Sequence, residues 1–144
     1  MTLHLIKLCV GCESVEDLED WIALRLDEKR RSGQPVEHFH TTRMVPKRHG
    51  ELLDGGSIYW IVKGGVQCRQ RLLEVRPFTD SEGVGRCRLV LEPAVVRTAW
   101  QPRRPFQGWR YLTPEDAPAD LGTGEGAEEL PLNLRKELSE LGLL

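Results

Sequence analysis

Two glycine pairs enclose the most apolar short segment of the chain. Gly55 and Gly56 precede the run Ile58–Val62, and Gly64 and Gly65 separate this run from a second one that continues to Phe78. A Gly-Gly pair supplies the positive φ angles of a two-residue hairpin turn. A run that is apolar at every position is typical of a strand buried on both faces. We therefore expect a β-hairpin that turns at the second glycine pair and whose first strand is central in a sheet.

The return run of this hairpin changes its alternation part-way. Val66 and Cys68 occupy even positions, whereas Leu73 and Val75 occupy odd ones, and the change falls near Leu72. Because side chains alternate between the faces of a strand, such a change predicts a β-bulge.

A helix is predicted to begin at Ser14. An apolar stripe follows at Val15, Leu18, Ile22 and Leu26, with Trp21 beside it. Acidic residues crowd the first turns and basic ones the last, which the helix dipole favours. Asp17, three residues after Ser14, resembles the second residue of a capping box.

The remaining patterns predict short strands and a terminal helix. Leu3–Val10 reads as a first strand, His38–Thr42 as an extended piece, and Cys87–Leu91 as a half-buried strand continuing towards Val96. Residues 131–141 carry a short helical stripe. Together these elements indicate an α+β domain of four to six strands with one long N-terminal helix and a short C-terminal helix. A small, partly open β-barrel would bury the doubly apolar strand. We expect a single domain over residues 1–121, a flexible acidic linker over 122–130 and a helix within 131–144.

Composition excludes several classes of protein. No apolar run approaches the roughly 18 residues of a membrane helix, and the N-terminus lacks the features of a secretory signal. Four unevenly spaced cysteines without such a signal favour free thiols in a cytoplasmic protein. We therefore expect no membrane association.

Charge is distributed unevenly along the chain. Residues 43–111 carry thirteen basic and six acidic side chains, a net charge of +7, between two acidic ends. Cations interleaved with flat rings suit the phosphates and bases of a nucleic acid, and an amide can recognise the edge of a base. The alternative remains open that the rings are core residues, that the amides are structural and that the arginines pair with the acidic ends. The candidate ligand-binding residues are Arg43, Lys47, Arg48, Trp60, Gln70, Arg104, Gln107 and Trp109.

Cysteine and histidine spacing leaves weaker alternatives. Cys9 and Cys12 form a single Cys-x-x-Cys, which could bind zinc only with two further ligands such as His38 and His40. A redox role is also conceivable, since Cys12 lies just before the predicted helix. A small enzyme using His38 or His40 stays a further alternative, although no nucleophile elbow or phosphate-binding loop is present. We assign no catalytic residue, metal or cofactor.

Four segments carry a resemblance to a known family: residues 3–11, residues 42–48, the hairpin, and residues 103–112. They resemble an uncharacterised alphaproteobacterial family, domain of unknown function 1489, over residues 3–121, with the tail after Leu121 outside it. The glycine-led central strand and the late Pro-aromatic segment also resemble, remotely, the PUA-like superfamily and its EVE and ASCH branches. That second likeness implies a small β-barrel that binds RNA or a modified base.

The function expected from these observations is non-covalent binding of RNA or a nucleotide-like anion in a basic, aromatic-lined pocket. A protein-interaction domain with an acidic tail is the alternative. The oligomeric state does not follow from the sequence.

Overall fold

The computed structural model describes residues 2–121, which contain seven strands and two helices. The strands are β1 (His4–Leu8), β2 (His38–Thr42), β3 (Ser57–Val62), β4 (Gly65–Thr79), β5 (Gly85–Leu91), β6 (Val96–Pro102) and β7 (Trp109–Leu112), and the helices are α1 (Val15–Arg31) and α2 (His49–Leu52). The expected linker over 122–130 and helix within 131–144 lie outside the described residues. No helix of residues 2–121 is long and apolar enough to cross a bilayer.

The strands form one mixed sheet in the order β2-β5-β4-β3-β1-β7. β1 is parallel to β3, and the other pairs are antiparallel. The long strand β4 organises the sheet, since its first half pairs with both β3 and β6 and its second half with β5. The architecture is thus α+β, with a strand-rich sheet. It has more strands than the four to six expected, because the segment from Gly85 to Leu112 divides into three.

Helix α1 covers one face of the sheet. Ser14 caps it, accepting a 3.1 Å hydrogen bond from the amide of Asp17, and the stripe Val15, Leu18, Ile22 and Leu26 is buried. These side chains pack in one cluster with Ile58, Trp60 and Val62 of β3. The helix predicted from Ser14 is confirmed, although it follows the first strand and does not begin the chain.

The opposite face of the sheet is covered by the segment after β7. Tyr59 and Ile61 of β3 cluster there with Ile6, Val66 and Leu112, against Ala117. Arg69 holds this segment by a two-point ion pair with Asp120, at 2.8 and 2.6 Å. With both faces covered, β3 is doubly buried as predicted, at every one of its positions.

Two side chains of β7 contact the segment that follows β2, the strand at the other end of the sheet. Trp109 Nε1 on β7 donates a 3.0 Å hydrogen bond to the carbonyl of Met44, two residues after β2. The amide of Arg48 donates to the hydroxyl of Tyr111 at 3.1 Å. We call these two contacts the seam. Since no ladder between β2 and β7 is found among residues 2–121, the sheet is curled but open.

The hairpin is confirmed, but its turn lies one residue earlier than predicted. Val62 pairs with Gly65, so the two turn residues are Lys63 and Gly64, with φ angles of 51° and 87°. Positive φ at both positions is the type I′ geometry that matches the twist of a hairpin. Gly65 is a strand residue instead, where any Cβ would overlap the ring of Trp100. The bulge predicted near Leu72 is present, as a register shift between Leu72 and Glu74.

Replacing Gly56 by alanine tests how tightly the chain packs before β3. An added Cβ would overlap the backbone carbonyl oxygens of Leu3 and Leu52, neither of which belongs to a flexible side chain. We expect Gly56→Ala to lower the free energy of unfolding by about 2 kcal/mol or more, measured by urea denaturation. Gly85→Ala is the matched control, because nothing lies within 4 Å of a Cβ there. Equal stability of the two variants would contradict the packing described.

Candidate functional site

A pocket of about 440 Å³ lies between α1 and β2. We call it the α1–β2 pocket. It combines two aromatic rings, three ionised side chains, an imidazole and a hydroxyl: Trp21, Arg25, Glu28, Lys29, Phe39, His40 and Thr41. Its α1 residues lie one helical turn apart, at positions 21, 25 and 28–29, so they share one side of the helix.

Cations and rings are paired within the α1–β2 pocket. The Arg25 guanidinium carbon lies 4.1 Å from the centroid of the Trp21 ring, and Lys29 Nζ lies 4.3 Å from that of Phe39. Arg88 approaches Phe39 as well, at 4.8 Å. Such cation–π contacts hold the charged groups in place without neutralising them. Trp21 remains 45% exposed, an unusual state for so large a ring.

Two histidines of β2 lie beside these cations, His38 buried and His40 half-buried. Burial first, and then the charges of Lys29 and Arg25, lowers the pKa of His38 to about 4. Burial, Lys7, His38 and Arg25 lower the pKa of His40 to about 4 as well. Both imidazoles are therefore neutral at pH 7, and each offers one donor and one acceptor.

His40 has an unused polar atom. Its ring packs edge-on against Trp60, with the centroids 5.2 Å apart, and its Nε2 atom is buried with no hydrogen-bond partner among residues 2–121. Buried polar atoms are nearly always hydrogen-bonded, so an exception in a pocket wall is a candidate for ligand contact.

Three of the eight candidate residues lie in the core. Gln70 is fully buried; its Oε1 accepts from Trp60 Nε1 at 3.0 Å, and its Nε2 donates to the carbonyl of Glu92 at 2.9 Å. Trp60 is 3% exposed and Trp109 is 8% exposed. Gln70 thus points inward as expected, and its amide serves the core. Trp60 contacts His40, which lines the α1–β2 pocket.

The other five candidates are exposed: Arg43, Lys47, Arg48, Arg104 and Gln107. The structure brings the segment of residues 43–48 to Trp109 and Tyr111 at the seam. Arg48 forms an ion pair with Glu51 and lies 5.6 Å from the centroid of the Tyr111 ring. The eight side chains therefore do not line one cavity.

The zinc site considered from sequence is not assembled. Cys9 and Cys12 face each other, but no group of three or more His, Cys, Asp or Glu side chains in residues 2–121 is arranged to hold a metal ion.

Residues 5–144 match a family model described as protein of unknown function, DUF1489. The chain belongs to this family. The family resemblance inferred from the sequence is confirmed, but the DUF1489 match includes the tail, so its expected end at Leu121 was wrong. Comparisons with curated proteins and with solved structures give no match.

The sequence pointed to only part of the α1–β2 pocket. His40 was noted as a possible catalytic group, but Arg25, Lys29 and Phe39 were not singled out. One available signal was Trp21, a large ring beside the buried stripe of α1. The other members come from α1 and β2, whose apposition no local pattern predicts.

Acid should destabilise the DUF1489 chain through His38 and His40, the two histidines of β2. Their folded-state pKa values of about 4 lie below the ordinary 6.5, so between these limits the unfolded chain binds more protons. The free energy of unfolding should therefore be at its full value above pH 6.5 and fall as the pH is lowered towards 4. Denaturation curves at stepped pH values measure this.

His40→Gln isolates the contribution of His40 to that fall. Between pH 6.5 and 5, the free energy of unfolding of the variant should change less steeply with pH, by the equivalent of up to about one bound proton. This window lies above the range in which Glu37 and Asp80, whose pKa values are lowered by Arg76 and Arg86, become protonated. An unchanged dependence of the free energy of unfolding on pH would contradict the lowered pKa of His40.

Gln70→Leu should cost the protein about 1–3 kcal/mol of stability, because it leaves the Trp60 indole N–H buried without an acceptor. Gln107→Leu, at an exposed position, should change stability by less than about 0.5 kcal/mol. Thermal unfolding of both variants checks this, and an unaffected Gln70→Leu would count against a structural amide.

Proposed function

We propose that the protein binds nucleotides of single-stranded RNA non-covalently in the α1–β2 pocket. The observation that supports this most directly is the composition of the pocket wall. Two cations, two rings and His40, whose Nε2 has no hydrogen-bond partner in residues 2–121, line one cavity of about 440 Å³. Cations bind the phosphate of a nucleotide, aromatic rings stack on the face of its base, and a hydrogen-bonding atom contacts the edge of the base.

Each pocket residue has a role on this proposal. Arg25 and Lys29 contact phosphate oxygens, and the guanidinium of Arg25 suits a two-point contact. The exposed ring of Trp21, which carries Arg25 over one face, stacks on a base. His40 Nε2 hydrogen-bonds to a polar edge of the base, and Glu28 accepts from a sugar hydroxyl or a base amino group.

The residues first expected to bind ligand take supporting roles. Trp60, fixed by Gln70, holds the His40 ring edge-on. Arg43, Lys47 and Arg104 lie on the surface, where cations add sequence-independent affinity for an RNA strand. The curled sheet with its seam accords with the partly open, PUA-like barrel, which remains part of the proposal. Free thiols accord with a cytoplasmic location.

Fluorescence anisotropy with a short, labelled single-stranded RNA at two salt concentrations tests the proposal. Trp21→Ala should weaken binding about tenfold through lost stacking. Arg25→Ala should weaken binding and lower the slope of log K against log salt by about one, since one phosphate contact is lost.

Arg30→Ala is the matched control. It removes the same charge from the same helix, but Arg30 does not line the pocket, so it should have a much smaller effect. Absence of binding at low salt, or equal weakening by Arg25→Ala and Arg30→Ala, would overturn the proposed site. Binding of free nucleotide with no gain from a longer strand would overturn RNA as the ligand.

A further inference from the structure

The Cys-x-x-Cys sequence forms a tight turn between β1 and α1. The amide of Cys12 donates to the carbonyl of Cys9 at 3.4 Å, and Gly11 has a φ of 84° at the third position of the turn. A turn of this kind holds its first and fourth Cα atoms within about 7 Å. Disulfides span Cα separations of about 4.4–6.8 Å. The backbone of the turn therefore already suits a cross-link.

The two sulfur atoms lie on the same side of this turn. Cys9 Sγ donates a hydrogen bond to Cys12 Sγ, with the atoms 2.7 Å apart. A disulfide between them would need only a small closing movement of two side chains, since an S–S bond is about 2.05 Å long.

The two thiols differ in accessibility, which assigns them different roles. Cys9 is buried, whereas Cys12 is partly exposed. Burial raises the pKa of Cys9, and its hydrogen bond to Cys12 raises it further. Cys12 accepts that bond and lies two residues before the N-cap of α1. Cys12 is thus the sulfur that meets an oxidant, and Cys9 is the one that closes the bond.

We propose that Cys9 and Cys12 form a redox-active dithiol that closes to an intramolecular disulfide by exchange with a small-molecule disulfide such as oxidised glutathione. The Cys12 thiolate attacks one sulfur of the oxidant and forms a mixed disulfide, and the first glutathione leaves as a thiolate that takes a proton. Cys9 then loses its proton to solvent and attacks Cys12 Sγ, which releases the second glutathione. The two cysteines lose two electrons, which reduce one glutathione disulfide to two thiols.

The other two cysteines provide the comparison. Cys68 is buried on β4, where burial raises its pKa to about 12, and it is near enough to act electrostatically on Cys9. It is therefore the competing partner. Cys87 is buried on β5, where its Sγ makes a weak 3.7 Å contact with the carbonyl oxygen of Arg88.

Mass spectrometry of the full-length protein in glutathione buffers of stepped ratio tests the proposal. After an acid quench and maleimide labelling, the oxidised protein should carry two labels instead of four and weigh two hydrogen atoms less than the reduced chain before labelling. Peptide mapping should place the cross-link between Cys9 and Cys12. Reduction by dithiothreitol should restore all four labels in a single two-electron step.

Two variants sharpen the result. Cys12→Ser, at a partly exposed position, should abolish the cross-link while circular dichroism shows an unchanged fold. Cys87→Ala should leave it in place. Four labelled thiols in every buffer would overturn the proposal. A mixed disulfide of glutathione with Cys12 that never proceeds to the Cys9–Cys12 disulfide would also overturn it, as would a cross-link that involves Cys68. Peptide mapping of the unaltered protein distinguishes these outcomes.

Discussion

Burial of β3 on both faces is the constraint on which the rest of the structure depends. Six consecutive residues without a solvent-facing side chain need a layer above and a layer below. Helix α1 supplies one, through a capped amphipathic stripe. The segment ending at Asp120 supplies the other, and the Arg69 ion pair fixes it there. The α1–β2 pocket lies at the edge of the layer formed by α1.

Local signals in the sequence were sufficient for the elements around this strand. The hairpin, the bulge after Leu72 and the cap at Ser14 each depend on a few neighbouring residues, whose backbone preferences act alone. The turn was placed one residue late, because Lys63 at positive φ is a conformation that most side chains avoid. Gly65 looked like a turn residue, yet it is required by the ring of Trp100, a neighbour 35 positions away that no local pattern reveals.

Ligand-binding residues were harder to predict than the fold, for a physical reason. Aromatic and amide side chains such as Trp60 and Gln70 satisfy each other when they are buried together, and sequence does not distinguish that pair from a pocket wall. Conversely, Arg25 and Phe39 line one pocket because α1 packs beside β2, which the residues around each of them do not predict. The neutral histidines show the same dependence on context. Their pKa values follow from burial beside cations that lie on other elements.

The seam has a mechanical consequence. A ladder between neighbouring strands shares load over many backbone hydrogen bonds, whereas β7 is joined to the segment after β2 through one indole and one phenol. Thermal fluctuations should therefore break the two seam contacts before they separate any paired strands. Amide protons of Arg48 and of the outer edge of β7 would exchange with deuterated solvent early, while those of β3 would be retained longest. A molecule wedged between Met44 and Trp109 would widen the curl without breaking a single strand pairing.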